Sequence, residues 1–271
     1  MTSDNRPGDQ LEAAAGGTSP HPALPLVRPL IGALHRSNGA LRWLSARTHR
    51  LQGRLEGGFD RRRMWFDHYV DLNYKWPAQG DAAFLERGLF SRLCLSPGAD
   101  VLEIACGDGF YTRHFYGPCA RSVLAIDIDP VAVEFARRAN ARENVRYEVH
   151  DIRLGLPSAS VSHVIWDNAM IFLTEEQLAV AVDEIHARVG TSGKFTGHVA
   201  YEPDLDQPFV RHRFRDGEDL AAFLKRAFGY ALVFTTDSPG RVNYHFLASD
   251  TAPEVSVPRL RTPSPARTTS D

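Results

Sequence analysis

From about residue 81 onward, the pattern of apolar and polar positions alternates between two kinds of segment. Short runs of apolar and β-branched residues, such as "DVLEIA" and "SVLAID", predict strands. Segments with apolar residues every three or four positions predict helices, as in "PVAVEFARRANA", where Pro130 suits a first helical turn. Seven strand segments follow one another, and the last two can form a hairpin across "SPGR". We therefore expect an α/β fold with a doubly wound, seven-stranded, mainly parallel sheet whose last strand is antiparallel.

A helical pattern of a different kind precedes this region. Its leucines recur at three- and four-residue steps or their multiples: Leu30, Leu34, Leu41, Leu44, Leu51 and Leu55. Its arginines fall on the other faces: Arg36, Arg42, Arg47, Arg50 and Arg54. The pattern predicts a basic amphipathic segment that packs its leucines on the main domain, with contact to anionic membranes or phosphates as the alternative. Three glycines, Gly32, Gly39 and Gly53, predict that its helix is interrupted.

Composition sets the outer limits of these regions. Residues 1–27 and 250–271 are rich in Gly, Pro, Ser and Thr and predict disordered tails. Residues 28–80 form a basic and aromatic helical extension, and residues 81–249 form the main domain. The extension includes the aromatic run "MWFDHYVDLNYKW" at 64–76, which suits either packing or a lid over a small substrate.

Charge and cysteine content exclude several classes of protein. The formal net charge of −2 gives no general argument for a nucleic-acid partner. The three cysteines form no CxxC pair and lack the spacing of a zinc site, so we expect neither a disulfide framework nor a metal. No stretch approaches the roughly 20 apolar residues of a membrane span, and the start does not have the pattern of a signal peptide. We expect a cytoplasmic protein, and the oligomeric state stays open.

The stretch "VLEIACGDGFYTRHF" predicts a buried strand, a glycine turn and a helix. Ligands of open α/β sheets bind beyond the carboxyl ends of strands, and Gly107 and Gly109 let a ligand approach the backbone. No reading frame completes the G-x-G-x-x-G fingerprint of dinucleotide sites, and Asp108 would repel a pyrophosphate but tolerate a cationic ligand. Asp127 ends the second strand, where a carboxylate can accept hydrogen bonds from ribose. A nucleoside with a free ribose, no phosphate and a positive charge fits, as S-adenosylmethionine does.

The stretch from Val101 to Phe110 resembles the glycine-rich first motif of the class I S-adenosylmethionine-dependent methyltransferases. From about residue 81 to 249, the order of "IDIDP", "HDI", "WDNAMIFL", "GTSGKF" and the final hairpin is similar to the same family. The resemblance implies that fold, methyltransferase activity and S-adenosylmethionine as the cofactor. It also implies contacts with the cofactor from Glu103, Ala105, Gly107 and Gly109 at the methionine part, Asp127 and Ile128 at the ribose and adenine, Asp151 and Ile152 at the adenine, and Asp167 and Asn168 at the reacting end. Ala105 stands where the family often has its first glycine.

Methyl transfer requires alignment of a nucleophile behind the methyl group, which can lower the barrier by about 7–11 kcal/mol. A base is needed as well if the nucleophile carries a proton. Candidate bases are His198, Tyr201, Glu202 and His68. We choose His198, because a neutral imidazole can accept a proton near pH 7 and this position follows the fifth strand on the ligand side of the sheet.

The resemblance also narrows the acceptor. "WDNAMI" lacks the Pro-Pro-aromatic continuation of relatives that methylate nucleobase amines or glutamine amides, and no paired cysteines or paired acids suit pyrimidine or magnesium chemistry. We expect a metal-independent O- or N-methyltransferase with a small-molecule acceptor. The alternatives are a methyltransferase for RNA or a membrane-associated lipid, recruited through peripheral contact by residues 28–63, a non-catalytic cofactor-binding module, and a nicotinamide oxidoreductase.

Overall fold

The computed structural model describes residues 24–59, 83–201, 210–238 and 240–252. The aromatic run at 64–76, His68, Glu202 and most of both expected tails lie outside the described residues. The chain divides into two compact units, Met1–Arg61 and Arg62–Asp271, and each is described by itself.

Within the described part of the chain, seven strands of the second unit form one sheet in the order β3-β2-β1-β4-β5-β7-β6. The strands are β1 Asp100–Ile104, β2 Ser122–Asp127, β3 Val145–Val149, β4 His163–Asp167, β5 Lys194–Tyr201, β6 Tyr230–Ser238 and β7 Arg241–Ser249. Strands β1 to β5 pair in parallel, while β7 lies antiparallel between β5 and β6. The expected doubly wound sheet and its terminal hairpin are therefore confirmed.

Helices connect the strands and cover the sheet. The second unit contains α2 Ala83–Cys94, α3 Pro130–Ala139, α4 Glu175–Val189 and α5 Gly217–Leu224, with short helical turns at Thr112–Tyr116, Ile152–Leu154 and Met170–Phe172. Side chains cap the helix starts: Asp129 accepts a hydrogen bond from the Val131 N–H, and Thr174 forms a reciprocal pair with Gln177. The expected cap at Thr174 is confirmed.

Alternation along the strands produces two apolar layers, one on each side of the sheet. One layer holds Leu102, Ile104 and Trp166, and the other holds Val101 and Ile165. The position of a residue within a strand therefore decides which layer its side chain joins. The same rule separates two groups of polar side chains at the carboxyl ends of the strands.

The first unit contains α1, a helix from Leu24 to Phe59. The expected interruption was wrong, because a glycine keeps both backbone hydrogen-bonding groups and costs only about 1 kcal/mol in a helix. The helix also begins before residue 28, so the last residues of the expected tail are helical. Contrary to the expected packing, five of its leucines are more than half exposed: Leu30, Leu34, Leu41, Leu44 and Leu51. Among the described residues, no helix has the length and hydropathy needed to cross a bilayer.

Candidate functional site

The turn after β1 is built from backbone conformations that L-residues rarely adopt. Ala105, Gly107 and Gly109 have φ values of 58°, 54° and 74°. A side chain at Gly109 would also place its Cβ 2.7 Å from the hydroxyl of Tyr147, so this position accepts only glycine. Ala105 adopts the same region at a cost of about 1–2 kcal/mol. The turn therefore requires its glycines and tolerates Ala105.

Backbone N–H groups of this turn bind acceptors within the protein. The N–H of Gly107 donates to Oδ2 of Asp127 at 2.9 Å, and the N–H of Phe110 donates to Oδ1 of Asp108 at 3.0 Å. The N–H of Gly109 donates to the carbonyl of Cys106 at 3.0 Å. Phosphates bound at helix starts rely on such N–H groups. The turn is therefore preformed but poorly suited to a pyrophosphate.

Asp127 joins this turn to the start of α3. Besides its bond to Gly107, the carboxylate accepts a hydrogen bond from the N–H of Asp129 at 2.9 Å. The residue is only 8% exposed, and burial raises the pKa of its carboxyl group, against the lowering effect of these N–H donors. Each oxygen of a carboxylate can accept more than one hydrogen bond, so Asp127 can still bind ligand hydroxyls.

A cleft of about 290 Å³ opens beyond the carboxyl ends of β1 and β2. This volume is near the lower limit of ligand pockets, which hold about 300–1,000 Å³. Five of the residues expected to contact the cofactor line it: Ala105, Asp127, Ile128, Asp151 and Ile152. The structure therefore brings together the residues expected at the ribose and adenine.

Asp151 lies at the cleft wall and already has a partner. Its carboxylate accepts a hydrogen bond from the N–H of Arg153 at 3.0 Å and forms an ion pair with the Arg153 guanidinium at 2.6 Å. These bonds lower the pKa of Asp151. The carboxylate is held as an anion, facing a cleft in which it can accept a further hydrogen bond.

Sequence reasoning missed several residues of this cleft. They are residues of strand ends and connecting segments: His150, Arg153, Trp166, Phe172, Leu173 and Arg211. Trp166 lies in a continuous apolar strand and gave no signal beyond a core position. Its indole Nε1, which is buried, has no hydrogen-bond partner among the described residues. It can donate to a ligand, as a buried donor without a partner is unfavourable.

Glu103 and Asp167 are not among the residues that line the cleft. They lie on the opposite face of the sheet, since each is one position from a cleft residue in its strand. Glu103 accepts a hydrogen bond from the Thr112 hydroxyl at 2.5 Å, and burial raises the pKa of its carboxyl group well above the usual range. Its contact with the methionine part of a cofactor therefore stays a prediction.

Asp167 accepts a hydrogen bond from the Tyr116 hydroxyl at 2.8 Å through Oδ2. Its Oδ1 is buried and has no partner in the part of the chain that the structure describes. Burial raises the pKa of Asp167 to about 6, and the nearby Arg87 guanidinium limits the rise. Asp167 is therefore a carboxyl group that changes charge near neutral pH.

His198 is the neighbour of Asp167 in the sheet, and His245 is the next residue of the same row. Asn243 donates through its amide nitrogen to the Thr236 carbonyl and the Ser238 hydroxyl, which turns its oxygen toward His198. The Nε2 atom of His198, 3.1 Å from that oxygen, is then the donor. Its Nδ1 is left as a proton acceptor, buried and without a partner among the described residues. Burial lowers the pKa of His198 well below its usual value, so the ring is neutral.

Asn168 connects the ends of β4 and β5. Its φ of 57° is tolerated by asparagine, its N–H donates to the carbonyl of His198 at 2.7 Å, and its side-chain oxygen accepts from the N–H of Ala200 at 3.2 Å. Asn168 thereby fixes His198, and its expected place at the reacting end stays a prediction. Over the described ranges, no three His, Cys, Asp or Glu side chains are arranged to hold a metal ion.

Comparison with known proteins gives a consistent family. Residues 101–193 match the methyltransferase-domain family. The ribosomal protein L11 methyltransferase of Caldicellulosiruptor saccharolyticus is 32% identical over 95 residues, which cover 35% of this chain and 26% of that protein. The enzyme of the same name from Burkholderia lata is 37% identical over 76 residues, covering 26% and 24%. The chain thus spans about a quarter of the length of these curated relatives.

Among solved structures, the N-methyltransferase NodS from Bradyrhizobium japonicum WM9 is similar, with a TM-score of 0.50 and 18% sequence identity. The match covers 62% of this chain and 96% of NodS. At this identity the likeness concerns the fold alone.

Proposed function

Residues 101–193 belong to the methyltransferase-domain family, and on this premise we propose that the protein is an S-adenosylmethionine-dependent methyltransferase. The observation that carries the proposal is the structure of the glycine turn beside the cleft. Its N–H groups bind Asp127, Asp108 and Cys106, while Asp127 also lines the cleft. This arrangement favours a nucleoside without phosphates and disfavours a dinucleotide.

In this proposal, residues of the cleft divide the cofactor between them. Ile128 and Ile152 supply apolar walls for the adenine, Asp151 accepts a hydrogen bond from the adenine amino group, and Asp127 accepts from the ribose hydroxyls. Ala105 and the glycines that follow it leave room for the methionine part. When bound, the cofactor supplies a methyl group on a positively charged sulfur. Buried carboxylates near the turn are compatible with that charge.

We assign proton removal to the row of side chains at the ends of β4 and β5. His198 is the expected base, and its Nδ1 atom has the free lone pair that this role requires. Its low pKa makes the ring a weak base. Asp167, with a pKa of about 6 and a free Oδ1, is better matched to accept a proton near neutral pH. The proposed acceptor is an alcohol or amine that loses a proton to this pair.

A small molecule is the acceptor in this proposal. The ribosomal protein acceptor named for the curated relatives is not carried over, because the matched segment covers about a quarter of each relative. The expected cytoplasmic location and metal independence stay predictions.

The first experiment is calorimetric titration of the full chain with S-adenosylmethionine, S-adenosylhomocysteine and NAD. We expect the two sulfur nucleosides to bind and NAD not to bind. Binding of NAD in their place would contradict the proposal and favour an oxidoreductase.

The second experiment follows the methyl group from labelled cofactor into fractionated extract of the host. Label in a small-molecule fraction supports the proposal, whereas label only in RNA, lipid or protein would contradict the acceptor class. His198→Gln and Asp167→Asn should reduce label transfer while cofactor binding persists. The matched control is His163→Gln, which alters an equally buried histidine that bonds Thr196 at 2.8 Å near the start of β4.

A further inference from the structure

The two faces of α1 differ in chemistry along its length. At 100° per residue, its exposed large aliphatic residues fall within an arc of about 160°. They are 40–62% exposed: Val27, Leu30, Ile31, Leu34, Leu41, Leu44 and Leu51. The arginines whose side chains the structure describes occupy the remaining arc: Arg28, Arg36, Arg42 and Arg47. The helix thus presents one apolar face and one cationic face with no overlap.

The charge of α1 has a single sign over most of its length. Residues 24–55 contain six arginines and neither aspartate nor glutamate. Arg42 lies about 20° from Ile31 on one border of the apolar arc, and Arg47 lies about 40° from Leu51 on the other. Cations therefore border the apolar face on both sides. Trp43, which is 57% exposed, lies on the cationic face, with the Arg47 guanidinium 4.5 Å from its ring centroid.

Such a face is unfavourable in water without a partner. Long isolated helices gain most of their stability from packing an apolar face, and exposed apolar patches of this extent mark interaction sites. The partner must offer an apolar layer bordered by negative charge. A second copy of α1 would supply leucines, but it would bring arginines against arginines along both borders. RNA would bind the arginines and leave the leucines exposed.

We propose that α1 is a docking surface for an anionic lipid bilayer. Its aliphatic face enters the boundary between headgroups and acyl chains, and the bordering arginines bind lipid phosphates while their stems lie along the apolar layer. The helix lies along the surface, consistent with the finding that α1 is not apolar enough to span a bilayer. Each arginine near an anionic surface contributes about 1 kcal/mol to attachment. The proposal does not depend on the methyltransferase assignment.

The test is co-sedimentation of the full chain with vesicles of phosphatidylcholine alone or mixed with phosphatidylserine, at low and at physiological salt. We expect binding to the mixed vesicles only, and weaker binding as salt rises. Leu34→Glu combined with Leu41→Glu should weaken binding by about tenfold or more, because each substitution replaces an inserted side chain by an anion. Arg36→Glu with Arg47→Glu, which leaves the apolar face intact, should weaken it as well.

The matched controls are Val180→Glu on α4 and Leu232→Glu on β6, which change exposed apolar residues (68% and 45%) of the other unit and should leave vesicle binding unchanged. Equal binding to both kinds of vesicle, or no binding, would overturn the proposal. So would a dimer in analytical ultracentrifugation that the leucine substitutions dissociate, in the absence of vesicle binding. Binding to RNA alone, sensitive to the arginine but not to the leucine substitutions, would also overturn it.

Discussion

Ala105 occupies the left-handed backbone region at the centre of the glycine turn, with a φ of 58°. Glycine reaches this conformation without strain, so Ala105→Gly should raise the free energy of unfolding by about 1 kcal/mol. Urea denaturation measures the change. As a control, Ala141→Gly, in an exposed loop where φ is not positive, should lower stability slightly through the added freedom of the unfolded chain. If Ala105→Gly lowers stability as the control does, strain at this residue is not relieved by glycine.

Asp127 holds the turn and faces the cleft, so its loss should affect binding more than folding. Asp127→Ala should raise the Kd for S-adenosylmethionine by tenfold or more, since hydrogen bonds to a charged group contribute about 1.5–3 kcal/mol. Calorimetry provides the Kd. The control is Asp129→Ala, which removes the cap of α3 at a cost of about 1 kcal/mol in stability and should leave the Kd unchanged. An unchanged Kd for Asp127→Ala would remove this residue from the ribose site.

Asp167 makes stability depend on pH in a direction opposite to that of most carboxylates. Because burial raises its pKa from 3.8 to about 6, the folded protein holds the proton more tightly than the unfolded chain does. Its contribution to the free energy of unfolding is therefore present below about pH 4 and is lost as pH rises through about 6. The stability of the wild type relative to Asp167→Asn should fall by about 1 kcal/mol between about pH 5 and pH 8. Urea denaturation of both proteins at the two pH values tests this, and an equal difference at both would contradict it.

At the scale of residues, the sequence identified the cleft better than the opposite face of the sheet. Asp127 and Asp151 could be placed because each directly follows a strand. Glu103 and Asp167 were expected at the same ligand, but both faces of this sheet are covered. A strand buried on both faces reads as a continuous apolar run, so the pattern does not show which face a polar residue joins. Trp166 was missed for the same reason.

Among the elements, α4 has the start that its sequence predicts most directly. The Thr174 hydroxyl accepts a hydrogen bond from the Gln177 N–H, and the Gln177 side chain accepts one from the Thr174 N–H at 3.0 Å. Thr174→Ala should lower the free energy of unfolding by about 1 kcal/mol, measured by thermal or urea denaturation. Thr174→Ser keeps the hydroxyl and should retain most of that stability. Equal losses in both variants would show that packing of the methyl group, and not the cap, matters here.

Predictions of elements succeeded where local chemistry sets both ends, as for α3, which begins at Pro130 after the Asp129 cap. They failed for α1. Gly32, Gly39 and Gly53 were read as breaks, yet each glycine costs a helix only about 1 kcal/mol, which favourable residues on either side can offset. The packing of its leucines depends on a partner, and a partner is not encoded in the periodicity of a single helix.

For the whole molecule, a ligand that binds only the folded state stabilises it by mass action. S-adenosylmethionine at a concentration of about 100 times its Kd should raise the free energy of unfolding by about 2.7 kcal/mol. Thermal unfolding with and without the ligand measures the shift, and NAD at the same concentration should produce none. A shift of equal size with NAD would mean that the cleft accepts a dinucleotide.

The position of β7 has a consequence for the order in which the molecule is made. Within the described sheet, β6 pairs with β7 alone, although β7 is the later of the two in the chain. A nascent polypeptide emerging from the ribosome can therefore assemble β1 to β5 but must hold β6 unpaired until β7 has been translated. During that interval the free edge of β5 is open to other chains, so chaperone capture or aggregation should be greatest for arrested nascent chains that end just before Arg241.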